Sequence, residues 1–329
     1  MTKLLLRAAA VIAVLAIAVY AAFQLSPWPS ALLIRFAFDR GGEAASAALE
    51  KHVPPGIAAQ FNLQYDPADS DAYLDVFYPA DIDGTDRALR TIVWIHGGGW
   101  ISGSKEQIAN YARILAGQGF TVVGVDYSIA PGSTYPKPLR QLNAALAYLQ
   151  ANAMKLHIDP RRFVLAGDSA GAHIAAQMAN IISVPSCAQA VGIAPSIERS
   201  KLLAVLLHCG PYKIRKGEGI KLGDFSRVLL WSYSGREDFN DDPSFATASV
   251  IDYITAEFPP VFISAGNADP LLPHSLAMSA ALTGLGVRVD ALFYPADYEP
   301  PLPHEYQFNL DTEAGRLALE RSVGFLNGL

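Results

Sequence analysis

Residues 161–182 read RRFVLAGDSAGAHIAAQMANII. Phe163 to Ala166 is a short apolar run of the kind that forms a strand buried on both faces. From Ser169 onward the residues suit a helix. The junction Gly167-Asp168-Ser169-Ala170-Gly171 is a G-x-S-x-G pentapeptide set between the two. In that setting the serine sits on a sharp turn with its hydroxyl exposed, and the glycines leave room for the tight backbone and for close approach of the helix. The helix N-terminus also favours negative charge that develops beside it.

The same alternation extends in both directions. LRTIVWI (89–95), FTVVGVDY (120–127), KLLAVLLHCG (201–210), PPVFISAG (259–266) and VRVDALFYP (287–295) read as strands, and YLDVFYPA (73–80) as another that ends at proline. Between them, IANYARILAGQG (108–119), YPKPLRQLNAALAYLQANA (135–153), PHSLAMSAALTGLG (273–286) and TEAGRLALERSVGFL (312–326) read as helices. Strands alternating with helices predict a mostly parallel, doubly wound α/β sheet. Its right-handed crossovers gather the strands' C-terminal ends along one edge, where open sheets of this kind carry their sites.

The residues expected at that edge form a chemical set. Asp269 follows VFISAGNA, and His304 follows the last strand and a loop. A serine hydroxyl is a weak nucleophile until a base takes its proton; an imidazole can do so near neutral pH, and a carboxylate fixes its tautomer. The chain order Ser169, Asp269, His304 is one in which such triads occur. His274, Asp297 and Glu299 are weaker rivals. HGGGW (96–100) follows the strand TIVWI, where three glycines would otherwise weaken structure. Backbone N–H groups of a glycine loop can approach a developing oxyanion where side chains would block them. Gly97, Gly98 and Ala170 are the expected donors, and His96 is expected to bond the loop backbone.

With these residues in view, the chain resembles the hormone-sensitive-lipase-like branch of the α/β-hydrolases, which includes bacterial carboxylesterases and membrane-anchored arylacetamide deacetylases. The resemblance spans residues 70 to 329 and is carried by HGGGW, GDSAGAH, Asp269 in GNADPLLP and His304 in HEY; LDVFYP and GSK also fit related carboxylesterases and kynurenine formamidases. It implies an α/β-hydrolase fold of about eight strands with a helical cap, a serine carboxylesterase acting on a small-molecule acyl or aryl ester, and no metal or cofactor. The same triad would serve an amidase, a formamidase or a lipase. A non-catalytic binding protein of this fold would typically lack the serine or the histidine. Three features depart from the branch: Ala172 stands where glycine is common, Glu305 and Tyr306 follow the histidine where Gly-Phe is common, and ADYEPPLP before His304 is long and proline-rich.

The remaining stretches set the boundaries. The chain has 329 residues, 51% hydrophobic and 17% charged, with a net charge of −6; no basic stripe points to nucleic acid. Cys187 and Cys209 are too few for a disulfide framework or a zinc site, and buried free thiols are expected. Lys3 and Arg7 precede an apolar run, Ala8 to Leu25, about the ~20 residues that cross a bilayer. Its length favours a retained anchor over a cleaved signal, with VYA before Ala22 as the competing cleavage site. The weak charge bias places the catalytic body outside the cytoplasm. ALLIRFAF beyond SPWP reads as the start of an interfacial helix touching membrane lipid. The expected organisation is 1–28 anchor or signal, 29–65 cap or linker helices, and 66–329 hydrolase domain with 211–255 as a cap-like insertion. Trp100, Trp231 and Tyr233 are expected to line the acyl pocket. The basic stretch KIRKGEGIK (213–221) is expected to be a solvated loop.

Overall fold

The computed structural model describes residues 2–214 and 224–329. KIRKGEGIK, beyond its first two residues, lies outside them. The chain opens with α1 (Thr2–Leu25) and α2 (Trp28–Leu49). Then come β1 (Ile57–Gln64), β2 (Tyr73–Pro79), β3 (Leu89–Ile95), α3 (Ala109–Ala116), β4 (Thr121–Val125), α4 (Lys137–Ala151), β5 (Ile158–Asp168), α5 (Ser169–Ser183), α6 (Pro185–Val191) and β6 (Leu202–His208). The described chain ends with α7 (Asp224–Ser234), α8 (Pro243–Ala246), β7 (Val261–Ala265), α9 (Leu272–Gly284), β8 (Val289–Phe293) and α10 (Glu313–Asn327).

The strands form one eight-stranded sheet in the order β1-β2-β4-β3-β5-β6-β7-β8. Only the pairs β1–β2 and β2–β4 are antiparallel. Successive side chains on a strand face opposite ways, and this alternation divides the core in two. Ile92 and Trp94 of β3 pack with Tyr111 and Leu115 of α3 and with Phe325 and Leu326 of α10. Val93 and Ile95 pack with Leu142 and Leu146 of α4 and with Ile174 and Met178 of α5. Each such side chain contributes ~1.5–3 kcal/mol by leaving water.

β1 was not expected. It places the start of the sheet at Ile57, ahead of the boundary expected at residue 66, and confines the N-terminal helical region to residues 28–52. Gln60 and Asn62 interrupt its apolar alternation, and the register shifts between Gln60 and Leu63. An edge strand with that pattern reads as a linker.

Every residue of α5 is buried. Its polar side chains recur at helical spacing and reach one segment: His173 bonds the Ala248 carbonyl at 2.7 Å, Gln177 donates to the Thr247 carbonyl at 2.8 Å, and Asn180 donates to the Val250 carbonyl at 2.9 Å. These bonds fasten the excursion between β6 and β7 to the central helix. α5 also crosses β3 closely. A Cβ on Gly171 would lie 2.0 Å from the Ile95 carbonyl oxygen and 2.5 Å from that of His96. Gly171→Ala is therefore expected to destabilise the protein by about 1–3 kcal/mol, read as a fall of several degrees in Tm. An unchanged Tm would show that this approach is not tight.

Candidate active site

The C-terminal ends of β3, β5, β7 and β8 deliver the candidate residues to one edge of the sheet. Ser169 begins α5 directly after β5, with φ of +51°. Its Oγ lies 3.0 Å from His304 Nε2, and His304 Nδ1 lies 2.9 Å from Asp269 Oδ2. The second oxygen of Asp269 accepts the Leu271 N–H at 2.7 Å. The Asp269 side chain is fully buried, and the His304 side chain is about one-third exposed.

The proline-rich loop before His304 is held by a residue two positions ahead of Asp269. Asn267 donates to the Tyr298 carbonyl at 2.9 Å and accepts the Leu302 N–H at 2.8 Å. Gly266 makes this fit possible, because a Cβ there would lie 2.2 Å from the Leu302 carbonyl oxygen. The end of β7 thus positions both the carboxylate and the loop that carries the imidazole.

The glycine loop is shaped by His96. Burial holds this imidazole down to about 4, so it is neutral. Its Nδ1–H donates to the Gly97 carbonyl at 2.8 Å, and the ring stacks on Tyr127 at 4.3 Å. Gly98 and Gly99 follow with φ of +101° and +60°, values that favour glycine. Their N–H groups have no acceptor among the described residues. The Gly97 N–H lies by the Asp168 carboxyl, which favours Gly98, Gly99 and Ala170 as the candidate oxyanion donors. A Cβ on Gly97 would lie 2.3 Å from Asp168 Oδ2 and 2.8 Å from Glu305 Oε1.

Those two oxygens belong to a carboxyl pair whose meeting the sequence did not reveal. Asp168 is buried and accepts the Trp94 indole N–H at 2.7 Å. Burial and the neighbouring Glu305 carboxylate push Asp168 well above the usual carboxylate range, against the pull of the indole and the Gly97 N–H. Glu305, at φ +59°, also stands 3.7 Å from His304 Nε2. For His304, burial works against the imidazolium, while the neighbouring Cys209, the hydrogen bond to Asp269 and, last, Glu305 favour it; the balance lies above the ordinary imidazole value. Burial pushes the Cys209 thiol up to about 11.

Cys209, Asp269 and His304 have ligand atoms within 4.8 Å of one another, close enough to hold a metal ion. A thiol ligand must first lose its proton, which burial of Cys209 opposes. Cys187 and Cys209 are both free and buried. Burial also holds His173 and His274 down to about 4 and His208 to about 3. His157 is buried against Tyr78.

A cavity of about 380 Å³ opens above Ser169 and His304. Trp100 lines it, as expected. Trp231 and Tyr233 do not. Tyr233 is wholly buried behind Trp100, stacked on it at 4.7 Å, and Trp231 lies under the Arg227 guanidinium. α7 lines the cavity with Phe225 and Leu229, and α2 contributes Ala37, Phe38, Gly41, Gly42 and Ala45.

The fold and this edge of the sheet define an α/β-hydrolase. The chain belongs to the BD-FAE family, whose model matches residues 74–282. It is similar to Carboxylesterase NlhH of Mycobacterium tuberculosis, 27% identical over 322 residues that cover 89% of this chain and 91% of that one. It is also similar to Esterase LipQ of the same organism, 28% identical over 231 residues, or 68% of this chain; the match spans about half of LipQ, 53%. Among solved structures, an esterase of Pyrobaculum calidifontis superposes with a TM-score of 0.70 at 22% identity, covering 89% of this chain and 92% of that one, a likeness of fold.

The carboxylates around His304 give a testable pH dependence. A base with a raised pKa is lost by protonation as pH falls through that value, so kcat/KM should decline on the acid side from above the ordinary imidazole range. Glu305→Gln removes one group that favours the imidazolium, and the acid limb is expected to move to lower pH. A limb that stays in place would show that Glu305 is not felt by the base.

Proposed function

We propose that the protein is a serine carboxylesterase for short- to medium-chain acyl or aryl esters, anchored to a membrane by α1. The observation that carries this reading is the unbroken relay from the Ser169 hydroxyl through His304 to Asp269, at 3.0 and 2.9 Å. The names of NlhH and LipQ support the carboxylic ester as the bond attacked. The cavity, about 380 Å³ and mostly apolar in its lining, suits an acyl group of modest length.

In this mechanism Ser169 Oγ attacks the ester carbonyl as His304 Nε2 takes its proton. Asp269 holds the imidazole in the tautomer that accepts at Nε2, and stabilises the imidazolium that forms. The N–H groups of Gly98, Gly99 and Ala170 receive the negative oxygen of the tetrahedral intermediate. His304 then returns the proton to the departing alkoxide, leaving an acyl group on Ser169. Water, activated by the same imidazole, releases the acid. For the anchor, the support is the apolar stretch Lys3–Leu25 of α1, whose most apolar 18-residue window has mean hydropathy 2.4 and no residue buried in the protein.

Ser169→Ala is expected to lower kcat by several orders of magnitude and to abolish labelling by a fluorophosphonate probe, with Tm close to that of the wild type. Substantial ester turnover in the variant would sink the assignment. Gly98→Ala places a Cβ 2.2 Å from the Ser102 carbonyl oxygen at a φ of +101°. The loop must shift, and kcat is expected to fall about 10²–10³-fold. An unchanged kcat would remove this loop from the oxyanion site.

A further inference from the structure

α2 turns two of its four charged side chains, Arg35 and Asp39, towards the protein, while Arg40 and Glu43 stay exposed. Arg35 donates to the Ile101 carbonyl at 2.5 Å and to the Ala130 carbonyl at 2.7 Å. Asp39 accepts the Ser102 hydroxyl at 2.6 Å and the Gly103 N–H at 3.2 Å. With that face fixed, Leu32, Leu33 and Phe36 are left 49%, 63% and 61% exposed. Of the twenty large apolar side chains exposed among the described residues, sixteen lie between Leu4 and Phe38. A chain surrounded by water scatters such side chains singly; a gathered patch marks a surface that something covers.

What covers it follows from chain connectivity. Only Ser26 and Pro27 part α1 from α2. Two residues reach at most about 7 Å, so a spanning α1 leaves the start of α2 at the bilayer surface. Trp28 is the residue type that settles at headgroup level. The Arg40 guanidinium lies over the Phe36 ring at 4.5 Å, where a long cationic side chain can stay in the headgroups above a buried apolar neighbour.

The mouth of the catalytic cavity lies on this same helix. Among the lining residues that are exposed, Ala37, Phe38, Gly41 and Ala45 stand on α2, and Pro270 is the other. Their mostly small side chains leave the opening unobstructed. A substrate entering there passes beside Leu33 and Phe36.

We propose that the outer face of α2, formed by Trp28, Leu32, Leu33 and Phe36, lies on a lipid bilayer, and that the cavity draws esters dissolved in that bilayer through the mouth α2 edges. The proposal rests on the esterase reading for its chemistry and on the anchor for its placement. Esters with an apolar chain concentrate in lipid, so this mouth meets them where they are most abundant.

The test uses the full chain reconstituted in phosphatidylcholine vesicles, with p-nitrophenyl acetate in the water and p-nitrophenyl octanoate dissolved in the vesicles. Leu33→Glu/Phe36→Glu changes two exposed residues that do not line the cavity. Acetate turnover is expected to stay within about twofold of wild type, and turnover of the vesicle-borne octanoate to fall about tenfold or more as the apolar contact is lost. Both rates unchanged, or both lowered by the same factor, would overturn the proposal. In a second measurement, Phe36→Cys carries a fluorophore while the buried Cys187 and Cys209 stay unlabelled. Quenching by nitroxide-bearing lipid is expected. Absence of quenching overturns the proposal, and where the protein then sediments as a dimer, a second copy is the occupant. A wild type that hydrolyses neither ester would refute the esterase reading, while the quenching still reports separately on α2.

Discussion

The site depends on how closely the N-terminus of α5 can lie against the end of β3. No side chain at position 171 could fit between the helix and the carbonyls of Ile95 and His96, and a Cβ at Gly167 would lie 2.5 Å from the Gly171 backbone. That approach sets Ser169 beside the loop that begins at His96. It also forces the serine into the left-handed region, φ +51°, at a cost of ~1–2 kcal/mol. The strain persists because what surrounds it cannot relax. α5 is buried along its whole length, and its three polar side chains are tied to residues 247–250. Packing energy far from this turn thus holds Ser169 in place.

The glycine loop is held from both sides in a similar way. Arg35 and Asp39 of α2 bond the backbone of Ile101 and Gly103 and the hydroxyl of Ser102, just past the three glycines. On the other side, Lys105 is buried among Asp75 at 3.3 Å, Asn62 at 2.9 Å and the carboxylate of Glu106, and its N–H donates to Asp126 at 2.7 Å. A buried ion group of this kind adds little net stability, but losing one member leaves an uncompensated charge. Its consequence here is positional. The antiparallel edge of the sheet, the loop and α2 are locked together, so the face α2 shows outward is fixed by the same bonds that shape the site.

What the sequence made legible follows from what is local. The strand, the pentapeptide and the helix stand within residues 161–182, so the strand-to-helix turn at Ser169 could be placed from spacing alone. The parallel sheet followed from alternation, and the order of Ser169, Asp269 and His304 from the strands each follows. Features that depend on distant partners could not be read. Glu305 stood out as a departure, but nothing in the chain shows that it meets Asp168. Trp231 and Tyr233 were expected to line the pocket from their aromatic character, but composition does not say which face of α7 meets the cavity. β1 was hidden by Gln60 and Asn62. In α2 the apolar and charged residues were visible, but which set faced the protein was decided only by carbonyls on another segment.

The carboxyl pair bears on which bond the site is suited to cleave. Two carboxylates in contact cannot both ionise readily, and Asp168, the deeper one, is the one pushed to the neutral form. Glu305 stands on the side of His304 that faces Ser169, while Asp269 holds the opposite nitrogen. An imidazole between two carboxylates is a stronger base and, once protonated, a weaker acid. The stronger base helps to take the serine proton. The weaker acid hinders the later step, in which the imidazolium protonates the leaving group. An amine depends on that protonation more heavily than an alkoxide activated by its own acyl or aryl substituents. The balance of charge at His304 therefore argues for esters over amides as the substrates of this site.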